Sequence, residues 1–397
     1  MQSPGSDDTG AMTLERTALL LAAISLNFLE FFIPRIPLFP WLKPGLANSI
    51  TVIWILKYGL AESILLSLLR IWTVGFYFGF SFLTLSLSLG GSTLAVLMMG
   101  LSWRVFGKRK LLGIIGVSII GALFHNAGQL IMVYFLMARN LFLFYQLPFM
   151  TGAAIVFGAL VGIVALFMLR VIDQTSIQEH PDFERKIVHH EISPGNLTAA
   201  AGIITYCIGI LFIDIPWILA ILAAGTTIAV QFIVKGSIKV LISPITKFWL
   251  LFIFIGALHL FFSFGTRIES VPFVTHEGVH AALTQWLRLW TWLQLSFALT
   301  HVKFHYALFS GLRKLFRGKE YALDAGVLAV ELFPHIPDLV RKETIPLFKG
   351  LFRSPIHSFR RFFMVVYRDI ESLIVSHLGS VVSEERDSKG ESRRSQV

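Results

Sequence analysis

Charge is scarce in this chain. Of its 397 residues, 15% are charged, where soluble domains carry about a quarter. Cysteine is nearly absent: Cys207 is alone, so no intrachain disulfide can form. Two catalytic signatures are also missing. No G-x-x-x-x-G-K-[ST] occurs, and GLRKLFRGKE has the wrong spacing for one, which excludes ATP hydrolysis by a phosphate-loop route. No D-D-x-x-D pair occurs to hold magnesium and a diphosphate. Asp7 and Asp8 stand in an acidic N-terminus and do not substitute. The expectation is a chain that is not an enzyme, with no cofactor of its own.

What the chain has is apolar surface. It is 55% hydrophobic and 13% aromatic, with mean hydropathy +0.71. That balance predicts an all-α polytopic membrane protein. Apolar runs fall near 17–33, 46–58, 60–80, 82–102, 111–137, 147–171, 197–213, 216–234, 247–265 and 279–301. The second is short, and reads as tilted or re-entrant. No basic region precedes the first and no small-residue cleavage site follows it, so it reads as a retained span. Domain boundaries follow composition. They are an irregular N-terminus at 1–13, a membrane domain at 14–172 and a polar linker at 173–196 closed by Pro194 and Gly195. Then come a second membrane region at 197–301, basic amphipathic helices at 302–380 and a polar tail at 381–397.

The net charge of +10 would suggest nucleic acid in a soluble chain. Here it reads as Lys and Arg retained on the cytoplasmic side. Arg104, Lys108, Arg109 and Lys110 precede the fifth run, Arg170 follows the sixth, and Lys235 and Lys239 lie between the eighth and ninth. Six spans plus four put all of these on one side, with both termini cytoplasmic in an inner membrane. The expected partners are membrane lipid and a small-molecule substrate, not nucleic acid.

Polar groups nevertheless stand at membrane depth: Asn27, Glu30, Asn48, Glu62, Arg70 and, in GALFHNAGQLIMVYFL, His125, Asn126 and Gln129. Ionisable groups in spans face a bundle interior or a cavity. His125 and Gln129 are four residues apart and share a helical face, with Asn126 beside it. Two readings stand open, a lined pocket for a polar solute or hydrogen bonding that holds helices together. In KPGLANSI, Lys43 suits an anion and Gly45 permits close backbone approach.

KPGLAN, ALFHNAGQL and AESILLSLLR together resemble the Gx transporter family, also described as heptaprenyl diphosphate synthase component I, over residues 14–172. Pro44 and Phe124 depart from its usual letters. The family is similar in architecture to the six-helix S components of energy-coupling factor vitamin transporters. The resemblance implies a substrate site at or near Lys43, Gly45, Asn48, Arg70, His125, Asn126 and Gln129. Ala18 and Ala22 resemble the small-residue face with which S components dock a membrane partner.

Beyond residue 197, THEGVHAALTQWLRLW and ALFSGLRKLFRGKEYALDAGVLAVELFPHIPDLVRKETIPLF resemble the T component of the same transporters, a membrane scaffold with cytoplasmic coupling helices. The Ala-Arg-Gly-like signatures of that family are absent, since the matching places read LFKGLFRSP and IVSHLGS. Arg341, Lys342, Lys349 and Arg353 offer a basic contact instead, for an ATPase partner or for anionic headgroups. THEGVH also spells H-E-x-x-H, a zinc hydrolase pattern, but Gly278 and the lack of a third ligand make coincidence the expectation, with no metal site. The implied role is uptake of a small polar or amphipathic molecule, a vitamin or isoprenoid-related precursor, with ATP hydrolysed by a partner ATPase. The alternative is a non-catalytic membrane subunit beside a prenyl diphosphate synthase catalytic subunit, acting in heptaprenyl diphosphate synthesis for quinone side chains.

Overall fold

The computed structural model describes residues 6–30, 44–78, 82–107, 109–174, 194–234, 238–269, 271–301, 320–351 and 354–394. The chain is predominantly α-helical, with one small two-stranded hairpin. Its first half contains α1 (Ser6–Glu30), α2 (Asn48–Phe78), α3 (Phe82–Ser102), α4 (Ile114–Val133) and α5 (Leu147–Gln174). The second contains α6 (Pro194–Gly209), α7 (Pro216–Val234) and α8 (Ile238–Phe262), then strands β1 (Arg267–Ile268) and β2 (Val271–Thr275), and α9 (His276–His301). The chain closes with α10 (Glu320–Leu332), α11 (Ile336–Leu351) and α12 (Pro355–Arg394).

α2 is not one rod. Gly59 interrupts it at φ 79°, ψ −178°, a region open essentially to glycine. On a straight helix, residues 22 apart would be separated by about 33 Å. Yet Arg70 Nη2 donates to Asn48 Oδ1 at 3.3 Å across that interval. The chain therefore reverses at Gly59, and residues 48–58 and 60–78 lie side by side as antiparallel arms. With both arms counted, each of the ten apolar runs overlaps a helical segment among the described residues.

Four helical stretches are long and apolar enough to cross a membrane: Asn48–Gly75, Phe82–Gly107, Ile114–Leu136 and Leu141–Ile172. The first of these contains the reversal. Ala201–Phe212, Pro216–Phe232 and Phe248–Phe262 are apolar but shorter. Together they make a multi-pass membrane protein. α9 differs in kind. Its Thr284, Gln285, Arg288, Thr291, Gln294 and Ser296 are all buried, so a helix unsuited to lipid is wrapped by α6, α7, α8 and α3.

Close helix approach holds the first half together. On α5, Gly158 and Gly162 lie against Ile119 and Ile115 of α4, where an added Cβ would come within 2.7 Å of each isoleucine Cα. Small residues four apart let two spans approach to backbone contact where water provides no hydrophobic drive. A buried ion pair fastens α1 to α2: Arg16 Nε and Nη2 donate to Glu62 Oε2 at 3.0 and 2.9 Å. The guanidinium also lies 4.2 Å from the Tyr58 ring centre.

Two hydrophobic cores result. One joins α1 and α2 to α10, α11 and α12, so the C-terminal helices complete the packing of the first helix. Ala18 and Ala22 are both 1% exposed within it. The other joins α3 and α4 to α6, α8 and α9, and Phe82 N donates to Ser296 Oγ across that seam at 3.1 Å.

Helix enters both termini that composition marks as irregular, since α1 starts at Ser6 and α12 runs to Arg394. Asp7 and Asp8 favour a helix start through the macrodipole, and Glu385 stands four residues before Lys389. Most of the linker, 175–193, lies outside the described residues.

Replacing Gly59 by Ala should destabilise the protein by about 1–3 kcal/mol, because the side chain cannot adopt that backbone. Gly152→Ala, at an exposed helical glycine with nothing within 4 Å of the new Cβ, should be neutral or stabilising by up to ~1 kcal/mol. Thermal unfolding in detergent compares them. Equal effects would remove the reversal as the cause.

Candidate functional site

The Gly59 reversal brings polar groups from distant positions to one level. Arg70, on the second arm, is 3% exposed. Its Nη2 reaches Asn48 Oδ1 at 3.3 Å and Ser92 Oγ of α3 at 3.4 Å, both long. Its Nε and Nη1 are buried and have no hydrogen-bond partner among the described residues. Glu30 at the end of α1 is the acidic group whose charge acts on it. A guanidinium carries five donors in a fixed fork, and two buried nitrogens left empty are costly. Such a group in a membrane bundle is matched to an anion or to trapped water.

The loop ahead of α2 is built for close approach. Gly45 sits at φ 74°, and a side chain there would come within 3.0 Å of Asn48 Nδ2. Backbone turns close from Asn48 N to Gly45 O at 2.8 Å and from Ser49 N to Leu46 O at 3.0 Å. Glu30 Oε1 accepts from Ala47 N at 3.4 Å, tying this loop to α1. Ser49 Oγ donates to Leu46 O at 2.6 Å and lies 3.3 Å from the Met168 sulfur of α5.

The polar trio of α4 divides. His125 and Gln129 both face Gly91 of α3, where a Cβ would come 3.0 Å from His125 Cε1 and 2.8 Å from Gln129 Cγ. Gly91 precedes Ser92, the partner of Arg70. Asn126 turns the other way, and its Nδ2 donates to Met150 O of α5 at 3.1 Å. Of the two readings left open for the trio, Asn126 takes the second. An angular step of about 100° per residue carries Asn126 onto the α5 side, where it fastens two helices.

Lys43 and Arg353 lie outside the described residues. Arg341, Lys342 and Lys349 are exposed on α11. With Ile345 and Phe348, also exposed, Arg341 and Lys349 form a stripe at i, i+4, i+7 and i+8 that carries both charge and apolar surface, with Lys342 beside it.

The H-E-x-x-H segment has structural work. Thr275 Oγ1 accepts from Gly278 N at 3.0 Å, capping α9. Glu277 accepts from Thr266 N at 2.8 Å and Thr266 Oγ1 at 3.0 Å, tying helix to hairpin. Its carboxyl is held below the usual range, chiefly by its own backbone amide, then by Thr266. Among the described residues no group of three or more His, Cys, Asp or Glu is placed to hold a metal ion.

Sequence reasoning missed Ser92 and Gly91, ordinary letters in a Ser- and Gly-rich span. It also missed a second polar cluster around Arg288, whose signal was a charge inside an apolar run with an acidic partner, Asp214, between two others.

Residues 19–168 match the model of the family described as heptaprenyl diphosphate synthase component I. The match takes in the second half of α1 and nearly all of α2 to α5, and with them Arg70, Asn48 and the α4 trio. No curated protein and no solved structure matches the chain.

Arg70 and Asn126 should behave oppositely. Arg70→Met should raise the thermal midpoint of ligand-free protein, by about 1–3 kcal/mol of stability, because it removes an ill-satisfied buried charge. Asn126→Leu should lower stability by about 1 kcal/mol. Native mass spectrometry should show a co-purifying small anion lost from the first variant and kept by the second. A destabilised Arg70→Met would reassign Arg70 to the scaffold.

Proposed function

We propose that this chain is a non-catalytic membrane component in heptaprenyl diphosphate synthesis for quinone side chains. It would bind the anionic head of an isoprenoid-related molecule at Arg70, while a separate catalytic subunit performs the prenyl transfer. The observation that carries this reading is the match over residues 19–168, which spans the whole candidate site. The chemistry agrees with it. Guanidinium is the preferred side chain for phosphate and carboxylate oxygens, because its fork matches them two at a time. Asn48, Ser92 and the backbone around Gly45 supply neutral partners. Magnesium-dependent bond making would fall to the partner, since this chain carries no paired-aspartate motif.

A second reading is favoured by a different observation. α1, with Ala18 and Ala22, is covered by the C-terminal helices α10–α12, and α11 leaves a basic, apolar stripe open. This is the arrangement expected where a solute-binding bundle docks on a scaffold that relays motion from a separate ATPase. On that reading the Arg70 site takes up a small polar or amphipathic anion from outside an inner membrane.

Deletion of the gene, followed by analysis of quinone side chains, tests the first reading. Shortened or missing tails are expected, restored by the wild-type gene and not by one carrying Arg70→Gln, whose product should bind roughly tenfold more weakly or worse. Unaltered tails would defeat it. ATP-driven uptake by chain reconstituted with candidate ATPases would then establish the second.

A further inference from the structure

At the opposite end of the bundle from Arg104, Arg109 and Lys110, three segments meet beside α9: the irregular turns after α4, the 213–215 turn and the end of α8 with Ser263 and Phe264. Between them lies a cavity of about 610 Å³, within the size range of small-molecule sites. It belongs to both halves of the chain, and neither the family match nor the Arg70 site accounts for it.

Its floor is charged and tightly held. Arg288 of α9 is 1% exposed. It donates from Nε to Ile210 O at 3.2 Å, and from Nη2 to Ile213 O and Asp214 Oδ1 at 2.6 Å each. Its Nη1 makes no hydrogen bond among the described residues. Arg139 also donates to Asp214 Oδ1, at 3.0 Å, and to Leu211 O. Two cations thus share one carboxylate. The other carboxylate lining the cavity, Glu277, accepts from Thr266 and keeps its own charge, so the excess of one positive charge is local to the Arg288–Arg139 floor at Asp214.

One feature has no structural purpose that the packing explains. Gln285 is 4% exposed and lines the cavity, yet its Oε1 is buried without a partner, an arrangement that costs stability. Arg139 sits on the rim with a left-handed backbone at φ 45°, ψ 30°, which ends the helical turns after α4 as its N–H donates to Tyr134 O at 2.8 Å. The walls are aromatic. Phe142 stacks with Tyr145 at 5.2 Å and meets Phe262 and Phe264 at 5.2 and 5.9 Å.

We infer that this cavity is a second ligand site, for an amphiphile with a singly charged anionic head and an apolar tail. The head sits on the Arg288–Arg139 floor, accepting from Arg288 Nη1. Gln285 Oε1 takes a donor from the bound molecule or its water. The tail lies along Phe142, Phe262 and Phe264. Head chemistry of this kind comes from two sources, a bilayer phospholipid or a free carboxylate or phosphate ester.

The test uses the full chain in nanodiscs of zwitterionic phosphatidylcholine, titrated with cis-parinarate, a polyene fatty acid that fluoresces in apolar sites. Empty discs supply the background, and the methyl ester serves as the uncharged counterpart. Saturable binding is expected for the acid, with the ester roughly tenfold weaker or worse. Ala281→Phe, which adds bulk to the cavity from α9 and leaves both arginines in the sequence, should weaken the acid by a similar factor, as should Arg139→Gln. Competition by phosphatidylglycerol placed in the disc would identify lipid as the natural occupant. Undiminished acid binding beside that lipid would identify a free amphiphile, and either result upholds the site. Equal binding of acid and ester to the wild-type chain, or no saturable binding, would overturn it, whether or not the variants fold.

Discussion

Hydrocarbon supplies no hydrogen bonds, so every polar group taken into a bilayer must be answered from within the protein. The whole structure can be ordered by how completely this is done. Arg16 is answered by Glu62 and Tyr58, and Asn126 by a backbone carbonyl. Those groups bind helices to helices. Arg288 is answered by two carbonyls and a carboxylate, with one nitrogen to spare. Arg70 is answered on one nitrogen by two long contacts, and two others are left empty. The incompletely satisfied cations mark the two places where we propose that the protein receives a ligand.

Much of this architecture was legible in the amino-acid sequence because hydrophobicity is local. Each apolar run became a helical segment, and the gap between 58 and 60 became the reversal of α2. Period also placed His125 and Gln129 on one face. It could not assign Asn126, because a helix's own periodicity does not say which neighbour stands on which side, and only the α4–α5 contact settles that. Gly158 and Gly162 carried a readable small-xxx-small spacing that passed unnoticed among many alanines and glycines. The second cavity was beyond reach. Its parts are drawn from three turns and two helices between residues 139 and 288, and nothing local signals that those turns converge.

The two halves are less separate than composition suggests. α1 is buried along its length by α2 and by the three C-terminal helices, although about 290 residues intervene. α9, whose polar residues would be intolerable in lipid, is protected by helices from both halves. A truncation after the first half would expose α1, and one before the second would strip α9 of α3. The open stripe on the C-terminal helices is connected by packing to the helix that carries Glu30 and hence to the loop that Glu30 holds through Ala47.

The reversal at Gly59 also constrains how the chain is made. The first arm of α2, 11 residues at about 1.5 Å each, is too short to be recognised alone as a span, which takes about 20 apolar residues. It carries Asn48, and the following arm carries Arg70, each awkward in lipid without the other. During synthesis the arms must therefore enter the bilayer together, as a preformed pair, with the guanidinium shielded before it leaves water. A glycine chosen for its backbone freedom thus sets the unit in which the nascent chain is handed to the membrane.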